Sequence, residues 1–216
     1  MVFIANDWLG KRVSNSESRL GQIKIFVTIT LVGIVLDQIT KYMAIEKLTD
    51  AFLARGDRPE AMGFMDKIDR FLWVEHPNRM GVTEVIENFW HYRYVENPGA
   101  AWGFMADVPD SIRTPFFLVV SFVAMGLMVH FFRSSHPQAR LFRVALAMVM
   151  GGAIGNLIDR ARLGYVIDFI DWHWYEHHWP TFNIADAFIS VGVSLLVLDM
   201  IINGKLYEEQ KASVES

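Results

Sequence analysis

Long apolar runs alternate with shorter polar stretches along this chain. Four runs are long enough to cross a bilayer, at about 23–43, 112–132, 141–158 and 184–202. A membrane-spanning helix needs roughly 20 mostly apolar residues at ~1.5 Å of rise per residue. The pattern therefore predicts four transmembrane helices. A soluble protein is disfavoured, because the second and fourth runs have uninterrupted apolar faces that a domain of 216 residues would struggle to bury.

The placement of lysine and arginine predicts the orientation of these helices. Basic residues cluster in the N-terminal tail and around the short loop between the second and third helices, at Lys11, Arg12, Arg19, Arg133, Arg140 and Arg143. Short basic segments stay in the cytoplasm, whereas long loops cross largely regardless of charge. We therefore expect both termini to be cytoplasmic and the loops at about 44–111 and 159–183 to lie outside.

Both outer loops contain a strand pattern. Residues 91–95 are aromatic and β-branched and precede a turn signal at Asn97-Pro98-Gly99, while residues 166–174 alternate between apolar and polar side chains. The predicted fold is a mainly α membrane protein, with four transmembrane helices and a small extracytoplasmic β-rich cradle. We expect residues 1–216 to form a single domain.

Composition excludes several kinds of chemistry. The chain has no cysteine, so it cannot form disulfides, a thiolate nucleophile or a cysteine-ligated metal site. The net charge of −4, without a basic block, gives no reason to expect a nucleic-acid partner. The polar cluster His173, Glu176, His177 and His178 lacks the H-E-x-x-H spacing of a zinc site and fits a membrane interface better. We predict no metal and no cofactor.

Polar residues inside membrane segments are costly and mark functional sites by default. Asp37 lies about 21 Å beyond Ile23 at ~1.5 Å per residue, in the outer third of the first helix. The other unusual polar residues fall where the third helix ends or the fourth begins, at Asn156, Asp159, Arg160, Asp168, Asn183 and Asp186. Together with Lys41, they predict a polar site just beneath the outer membrane surface.

Two neighbouring carboxylates can share one proton, because like charges at short range do not both ionise easily. One then activates water as a base and the other protonates a carbonyl as an acid, which hydrolyses a peptide bond without a metal. Spacing alone does not show which acids pair. Asp186 could instead cap the fourth helix, Asp159 could pair with Arg160, and Asp37 with Lys41 four residues on.

A proton- or ion-coupled transporter is the main alternative function. It would use the acids as a relay through the membrane. A relay should place ionisable groups at all depths, but the second and third runs have no acid in their middles. A non-enzymatic anchor protein needs no clustered acids and explains the sequence least well.

Five motifs occur in the order typical of lipoprotein signal peptidases. Asp37 to Lys41 resembles the D-x-x-x-K motif of that family, and Asn97 to Trp102 resembles N-x-G-A-A-[FW]. GGAIGNLIDR at 151–160, VIDF at 166–169 and FNIAD at 182–186 resemble the remaining three. Each motif alone is weak, but five in order, from the first helix to the fourth, make a specific resemblance.

The resemblance implies a role for each matching residue. Asp168 and Asp186 would be the catalytic pair. Residues that bind substrate or support the pair would be Asn97, Asn156, Arg160, Asn183 and Ala185. Structural residues behind them would be Asp37, Lys41, Asp159 and Gly99.

The resemblance also implies the reaction and its setting. The family cleaves diacylglyceryl-modified prolipoproteins just before the modified cysteine, in the bacterial cytoplasmic (inner) membrane and from its outer side. We therefore expect contact with membrane lipid, inhibition by globomycin-type compounds and action as a monomer. One stretch departs from the compact family pattern, an apparent insertion at about 49–81 that could be a lid, a partner surface or a tolerated addition.

Overall fold

The computed structural model describes residues 3–53, 62–73, 75–99, 104–105, 107–136 and 139–215, with side chains described within those ranges from 19 to 204. Its elements are, in chain order, α1 (Phe3–Leu48), α2 (Phe64–Trp73), β1 (Val82–Ile86), β2 (Trp90–Asn97), α3 (Asp110–Ser134), α4 (Arg140–Leu163), β3 (Val166–Trp174), β4 (His177–His178) and α5 (Ile184–Glu215).

Four helices are long and apolar enough to cross a membrane. The spans are Arg19–Leu48, Asp110–Ser134, Arg140–Leu163 and Ile184–Gly204, in α1, α3, α4 and α5. The prediction of four transmembrane helices is confirmed. α4 is the central helix, because half of its most apolar stretch is buried, against 6% in α3 and 17% in α1 and α5. It packs against the other three.

Glycines allow α4 and α5 to approach closely. A Cβ added at Gly152 would collide with the carbonyl oxygen of Ala185 and lie 2.7 Å from the side chain of Ile189. At Gly192, it would lie 2.9 Å from the carbonyl oxygen of Ala145. Backbone contact at this crossing therefore depends on the absence of side chains.

A four-stranded antiparallel sheet in the order β1-β2-β3-β4 packs on one end of the bundle, which we call the sheet end. Both predicted strands are confirmed, and β1 and β4 were not predicted. The first six residues of β3 are all buried rather than alternating. Strand β3 lies between two strands, which cover its edges, and it also contacts α1 and α4. The predicted fold class is therefore confirmed, while the extracytoplasmic position of the sheet stays a prediction.

Two connections bring β3 to the start of α5. Gly164 ends α4 in the left-handed region at φ 77°, where its N–H donates to the carbonyl of Arg160 at 3.1 Å. After β4, Phe182 pairs with β3, since its N–H donates to Ile170 at 3.0 Å and its carbonyl accepts from the Phe169 N–H at 3.1 Å. The first turn of α5 is consequently held beside the middle of β3.

The segment predicted as an insertion, 49–81, leaves the end of α1 and returns to it. The N–H of Asp50 donates to the Asn78 carbonyl at 3.0 Å, and the N–H of Met80 donates to the Leu48 carbonyl at 2.9 Å. Residues 54–61 and 74 lie outside the described residues. Residues near the two ends of the segment are therefore hydrogen-bonded to each other. An inserted segment whose two ends lie together can be accommodated without disturbing the surrounding fold. Its role stays a prediction.

Helix α2, inside this segment, packs against α1 and α4. The ring of Phe71 lies 5.5 Å from that of Tyr42, and Lys67 pairs with Glu46 at 2.7 Å. From α4, Arg162 donates to the Phe71 carbonyl at 2.6 Å. These contacts attach the segment to the sheet end.

Replacing Gly152 with alanine should weaken the α4–α5 contact. Overpacking of this kind costs about 1–3 kcal/mol, so we expect Gly152→Ala to lower the Tm of the purified protein in detergent by several degrees. Gly126→Ala in α3 is the matched control, because an added Cβ there meets nothing within 4 Å. Equal Tm values for the two variants would contradict the close helix contact.

Candidate active site

A buried ion cluster lies beneath the sheet, inside the bundle. Lys41 Nζ is 2.8 Å from Asp37 and 2.7 Å from Asp159, and all three side chains are fully buried. The predicted pair of Asp37 and Lys41 is therefore confirmed. A second cation, Arg162, lies 3.4 Å from Asp159. Buried charges are tolerated when they are paired and hydrogen-bonded in this way.

Each acid of the cluster also holds a backbone amide. Asp159 accepts from the Ile167 N–H at 3.1 Å, and Asp37 accepts from the Ala185 N–H at 3.0 Å. These two amides directly precede Asp168 and Asp186 in the sequence. One ion cluster thus fixes the backbone beside both predicted catalytic residues. Ala185 is fully buried, so its amide and small side chain support the site rather than face an opening.

Asn183 connects the two candidate catalytic carboxylates. Its side-chain amide donates to Asp168 at 2.7 Å. Its side-chain oxygen accepts from the Asp186 N–H at 2.9 Å, while its own N–H donates to the Asp186 carboxylate at 3.3 Å. This reciprocal pair is a capping box at the start of α5. The N-cap residue is therefore Asn183, whereas one alternative gave this role to Asp186, which instead completes the capping box from the first turn and shares Asn183 as a hydrogen-bonding partner with Asp168.

Asn156 links the ion cluster to the same pair. Its amide donates to Asp186 at 2.8 Å, and its oxygen accepts from Lys41 at 3.2 Å and from Asn183 at 3.1 Å. Because the oxygen accepts two hydrogen bonds and the nitrogen donates one, the orientation of the Asn156 side-chain amide is fixed. The position of the Asp186 carboxylate is therefore coupled to Lys41 through one side chain.

The second oxygen of Asp168 is held from the neighbouring strand. Asp168 lies opposite Val95 in the β2–β3 register, so Asn97, two residues further on, faces the same side of the sheet. Its amide donates to Asp168 at 2.9 Å. Both oxygens of the buried carboxyl group thus accept from side-chain amides.

Arg160 turns away from the acid next to it. It donates to the Gly99 carbonyl at 2.9 Å and lies over the Phe117 ring at 4.7 Å. The predicted pair of Asp159 and Arg160 is wrong, because successive helical residues point about 100° apart, and Asp159 instead meets Lys41 and Arg162. Residues 100–102 of the motif that starts at Asn97 lie outside the described residues.

The two carboxyl groups differ in their surroundings. Asp168 is 1% exposed, whereas Asp186 is half-buried. Burial and, to a smaller extent, the charge of Asp186 raise the pKa of Asp168, and they outweigh the opposing effect of the amide hydrogen bonds and Lys41, so that the pKa is about 8. At neutral pH, Asp168 therefore favours its protonated form, and the carboxyl group of Asp186 beside it is more open to the surroundings.

The structure brings together the polar residues that the sequence placed at one depth, although their roles stay predictions. Two contributors were not predicted. Gln38 donates to Asp37 at 3.1 Å and to Asp159 at 3.3 Å, and Arg162 joins the cluster to α2. Gln38 could have been found, because an amide beside an acid within an apolar run is itself unusual.

The histidines form a separate cluster at the β4 edge of the sheet. The rings of His173 and His178 stack 4.9 Å apart, and His178 lies 3.0 Å from the buried Asp171. Across the part of the chain that the structure describes, no group of three or more histidine or acidic side chains is placed to hold a metal ion.

Four spanning helices and a small sheet, with two linked carboxyl groups between them, define this protein as a multi-pass membrane protein with a polar site at one end. A sequence model of one family, signal peptidase (SPase) II, matches residues 29–202. The chain belongs to the signal peptidase II family, and this membership makes it a protease.

Individual relatives and solved structures agree with this family. A lipoprotein signal peptidase of Anaeromyxobacter sp. (strain Fw109-5) is 43% identical over 179 residues, which are 81% of each chain. That of Geobacter metallireducens is 38% identical over 178 residues, 82% of this chain and 91% of the relative. Two solved structures of bacterial membrane enzymes match 84% of this chain with a TM-score of 0.61, at 27% and 25% identity, and are covered to 90% and 95%.

The ion cluster should contribute strongly to stability. Asp159→Asn removes one partner of a buried ion pair, which costs about 3–5 kcal/mol, so we expect a marked fall in Tm and in expression. The matched control is Glu46→Gln, which breaks the partly exposed pair with Lys67 and should cost at most about 1 kcal/mol. If thermal unfolding of Asp159→Asn in detergent resembles that of Glu46→Gln, the cluster does not hold the site together.

Proposed function

We propose that this protease is an aspartic endopeptidase that removes the signal peptide from prolipoproteins, cutting before the diacylglyceryl-modified cysteine. The observation that carries the proposal is the joining of Asp168 and Asp186 through Asn183, with one carboxyl group buried and the other half-open. The substrate class is supported by family membership and by relatives that are named lipoprotein signal peptidases.

The unequal surroundings of the two carboxyl groups give each a role. Asp186, the more open of the two, acts as the base and accepts a proton from a water molecule, whose oxygen attacks the carbonyl carbon of the scissile bond. Asp168, which holds a proton because its pKa is raised, donates to the carbonyl oxygen. As the tetrahedral diol collapses, Asp168 takes a proton back from one of its hydroxyl groups, the C–N bond breaks, and the proton taken up by Asp186 passes to the leaving amine. The pair thus ends with one proton, as it began.

Neighbouring polar groups are suited to hold the substrate. Arg160 Nε is buried and has no hydrogen-bonding partner among the described residues, although another nitrogen of the same side chain is held by Gly99. A buried donor without a partner is costly, and a peptide carbonyl of the signal peptide would satisfy it. Asn97 and Asn156 are proposed to orient the pair, and no cofactor takes part.

The proposed setting is the bacterial cytoplasmic membrane. The basic residues of the short segments lie at the end of the bundle opposite the sheet, so the positive-inside rule puts both termini in the cytoplasm and the sheet outside. The diacylglyceryl chains would then stay in the outer leaflet, with the signal peptide extended between the helices and the sheet. Crosslinks from a bound substrate to the loop at 134–140 would refute this orientation.

We expect globomycin-type compounds to compete with the substrate for the proposed active site, and the chain to act as a monomer.

A transporter relay is less well supported. Asp37, Asp159, Asp168 and Asp186 are linked into one network at the sheet end. Among the described spans, the remaining buried acid, Asp199, lies 13 residues further along α5 than Asp186. At ~1.5 Å per residue the gap is about 20 Å, too long for a chain of acids to pass a proton directly.

Removing either carboxylate should abolish cleavage. We expect Asp168→Asn and Asp186→Asn each to reduce cleavage of a diacylglyceryl-modified prolipoprotein by at least about 100-fold, because proton transfer contributes 10²–10⁴-fold. Both variants should remain folded. The wild-type reaction should be blocked by globomycin.

Asp171→Asn is the matched control for these variants. Asp171 is also 1% exposed and lies in β3, but it pairs with Arg93 at 3.2 Å and His178 rather than with the site. It should retain cleavage to within a few-fold of wild type. Normal turnover by Asp168→Asn or Asp186→Asn would move the catalytic assignment to other residues.

A further inference from the structure

A cavity of about 590 Å³ opens between α1, α3 and α4, at the end of the bundle opposite the carboxyl pair. We call it the arginine cavity, because Arg19, Arg133 and Arg143 line it. Its other lining residues are apolar, and include Phe26, Val129 and Phe132. Arg143 lies 13 residues from Asn156 along α4, about 20 Å at ~1.5 Å per residue. The cavity is therefore separate from the proposed active site.

Arg143 is fixed in the wall of this cavity. It is 8% exposed, donates to the Ser135 hydroxyl at 2.8 Å and to the Ser135 carbonyl at 2.7 Å, and lies over the Phe132 ring at 4.9 Å. Its remaining terminal nitrogen, Nη1, is buried without a hydrogen-bonding partner among the described residues. A buried charged donor without an acceptor is costly, and an anionic ligand in the cavity would supply an acceptor.

The charges of the cavity specify the kind of acceptor. Three guanidinium groups line it, and among the residues whose side chains are described none of the lining residues is acidic. Guanidinium groups suit phosphate oxygens, because they donate several hydrogen bonds in a fixed planar geometry. A phosphate group would relieve the repulsion among the three charges and satisfy the donor of Arg143.

The order of residues along the helices indicates where the phosphate comes from. Along α1, Arg19 precedes Phe26, and along α3, Val129 precedes Arg133, so in both helices the arginine is nearer the end of the span. The cavity thus has a basic rim and an apolar inner wall, where Phe26 packs against Phe132 with ring centres 4.4 Å apart. A phospholipid has the same order, with a charged headgroup above apolar chains.

We propose that the arginine cavity binds an anionic phospholipid of the adjoining leaflet, with its phosphate at the arginines and its glycerol and upper acyl chain against the apolar wall. Basic pockets between transmembrane helices bind anionic headgroups in this manner. Arginines whose only role is to set the orientation of the helices in the membrane need to lie near the helix ends. That role does not require burial, so it does not explain why Arg143 is buried.

The test is lipid-dependent thermal stability of the purified full-length protein in dodecyl maltoside micelles. Phosphatidylglycerol should raise the Tm in a saturable way, because a ligand that binds the folded state stabilises it. Equal amounts of phosphatidylcholine should raise it much less. Inorganic phosphate at the same concentration should have little effect. Equal effects of phosphatidylglycerol and phosphatidylcholine, or of phosphatidylglycerol and inorganic phosphate, would overturn the proposal.

Matched variants assign the effect to the cavity. Arg143→Gln should weaken the apparent affinity for phosphatidylglycerol by at least about tenfold, since hydrogen bonds to charged groups are the stronger ones. Arg140→Gln is the control, because it removes the same charge from an exposed residue at the start of the same helix. Its affinity should change less than about twofold. Similar losses in both variants would indicate surface charge alone and contradict the proposal.

A second variant covers the case in which Arg143→Gln does not fold after losing its bonds to Ser135. Arg133→Gln changes an exposed residue of the same cavity and leaves those bonds intact. It should also weaken the phosphatidylglycerol response severalfold more than Arg140→Gln does. An unchanged response in Arg133→Gln would overturn the proposed contact with the phosphate.

Discussion

The contact of Lys41 with Asp37 and Asp159 is the interaction on which the rest of the site depends. These three charges are fully buried, so the loss of any one removes an ion pair and leaves unbalanced charge in a medium that solvates it poorly. The two acids also hold the amides of Ile167 and Ala185. One ion cluster therefore joins α1, α4, β3 and α5, and sets where the next residues of β3 and α5 lie.

This arrangement separates structural charges from the carboxyl groups proposed to react. Asp37 and Asp159 both pair with Lys41 at less than 3 Å, and Asp159 also pairs with Arg162, whereas the carboxyl groups of Asp168 and Asp186 contact side-chain and backbone amides. A hydrogen bond from a neutral amide stabilises a carboxylate less than a hydrogen bond from a cationic side chain does. Burial can then raise the pKa of Asp168, and two carboxyl groups in different surroundings can divide the roles of acid and base between them.

The spanning helices and the depth of the polar residues could be predicted from the sequence, because both follow from apolar runs and a fixed rise per residue. Which charged residues pair with one another could not be predicted from the sequence. Asp159 was expected to pair with Arg160 but meets Lys41, since tertiary packing decides which faces of two helices come together. Strand β1 was missed because all five of its residues are exposed and give no alternation of buried and exposed positions. Roles at the site came from the motif resemblance, and geometry adds the connections between those residues.

The most direct test of the shared proton is the pH dependence of kcat/KM for prolipoprotein cleavage by the wild-type protein, with thermal stability checked at each pH. Asp168 must be protonated to act as the acid. Because its folded pKa is raised to about 8, kcat/KM should fall as pH rises through that value, approaching a tenfold loss for each further pH unit. A profile that stays level from about pH 7 to about pH 10 would mean that no group titrating in this range supplies the proton, and would contradict the assignment of Asp168 as the acid.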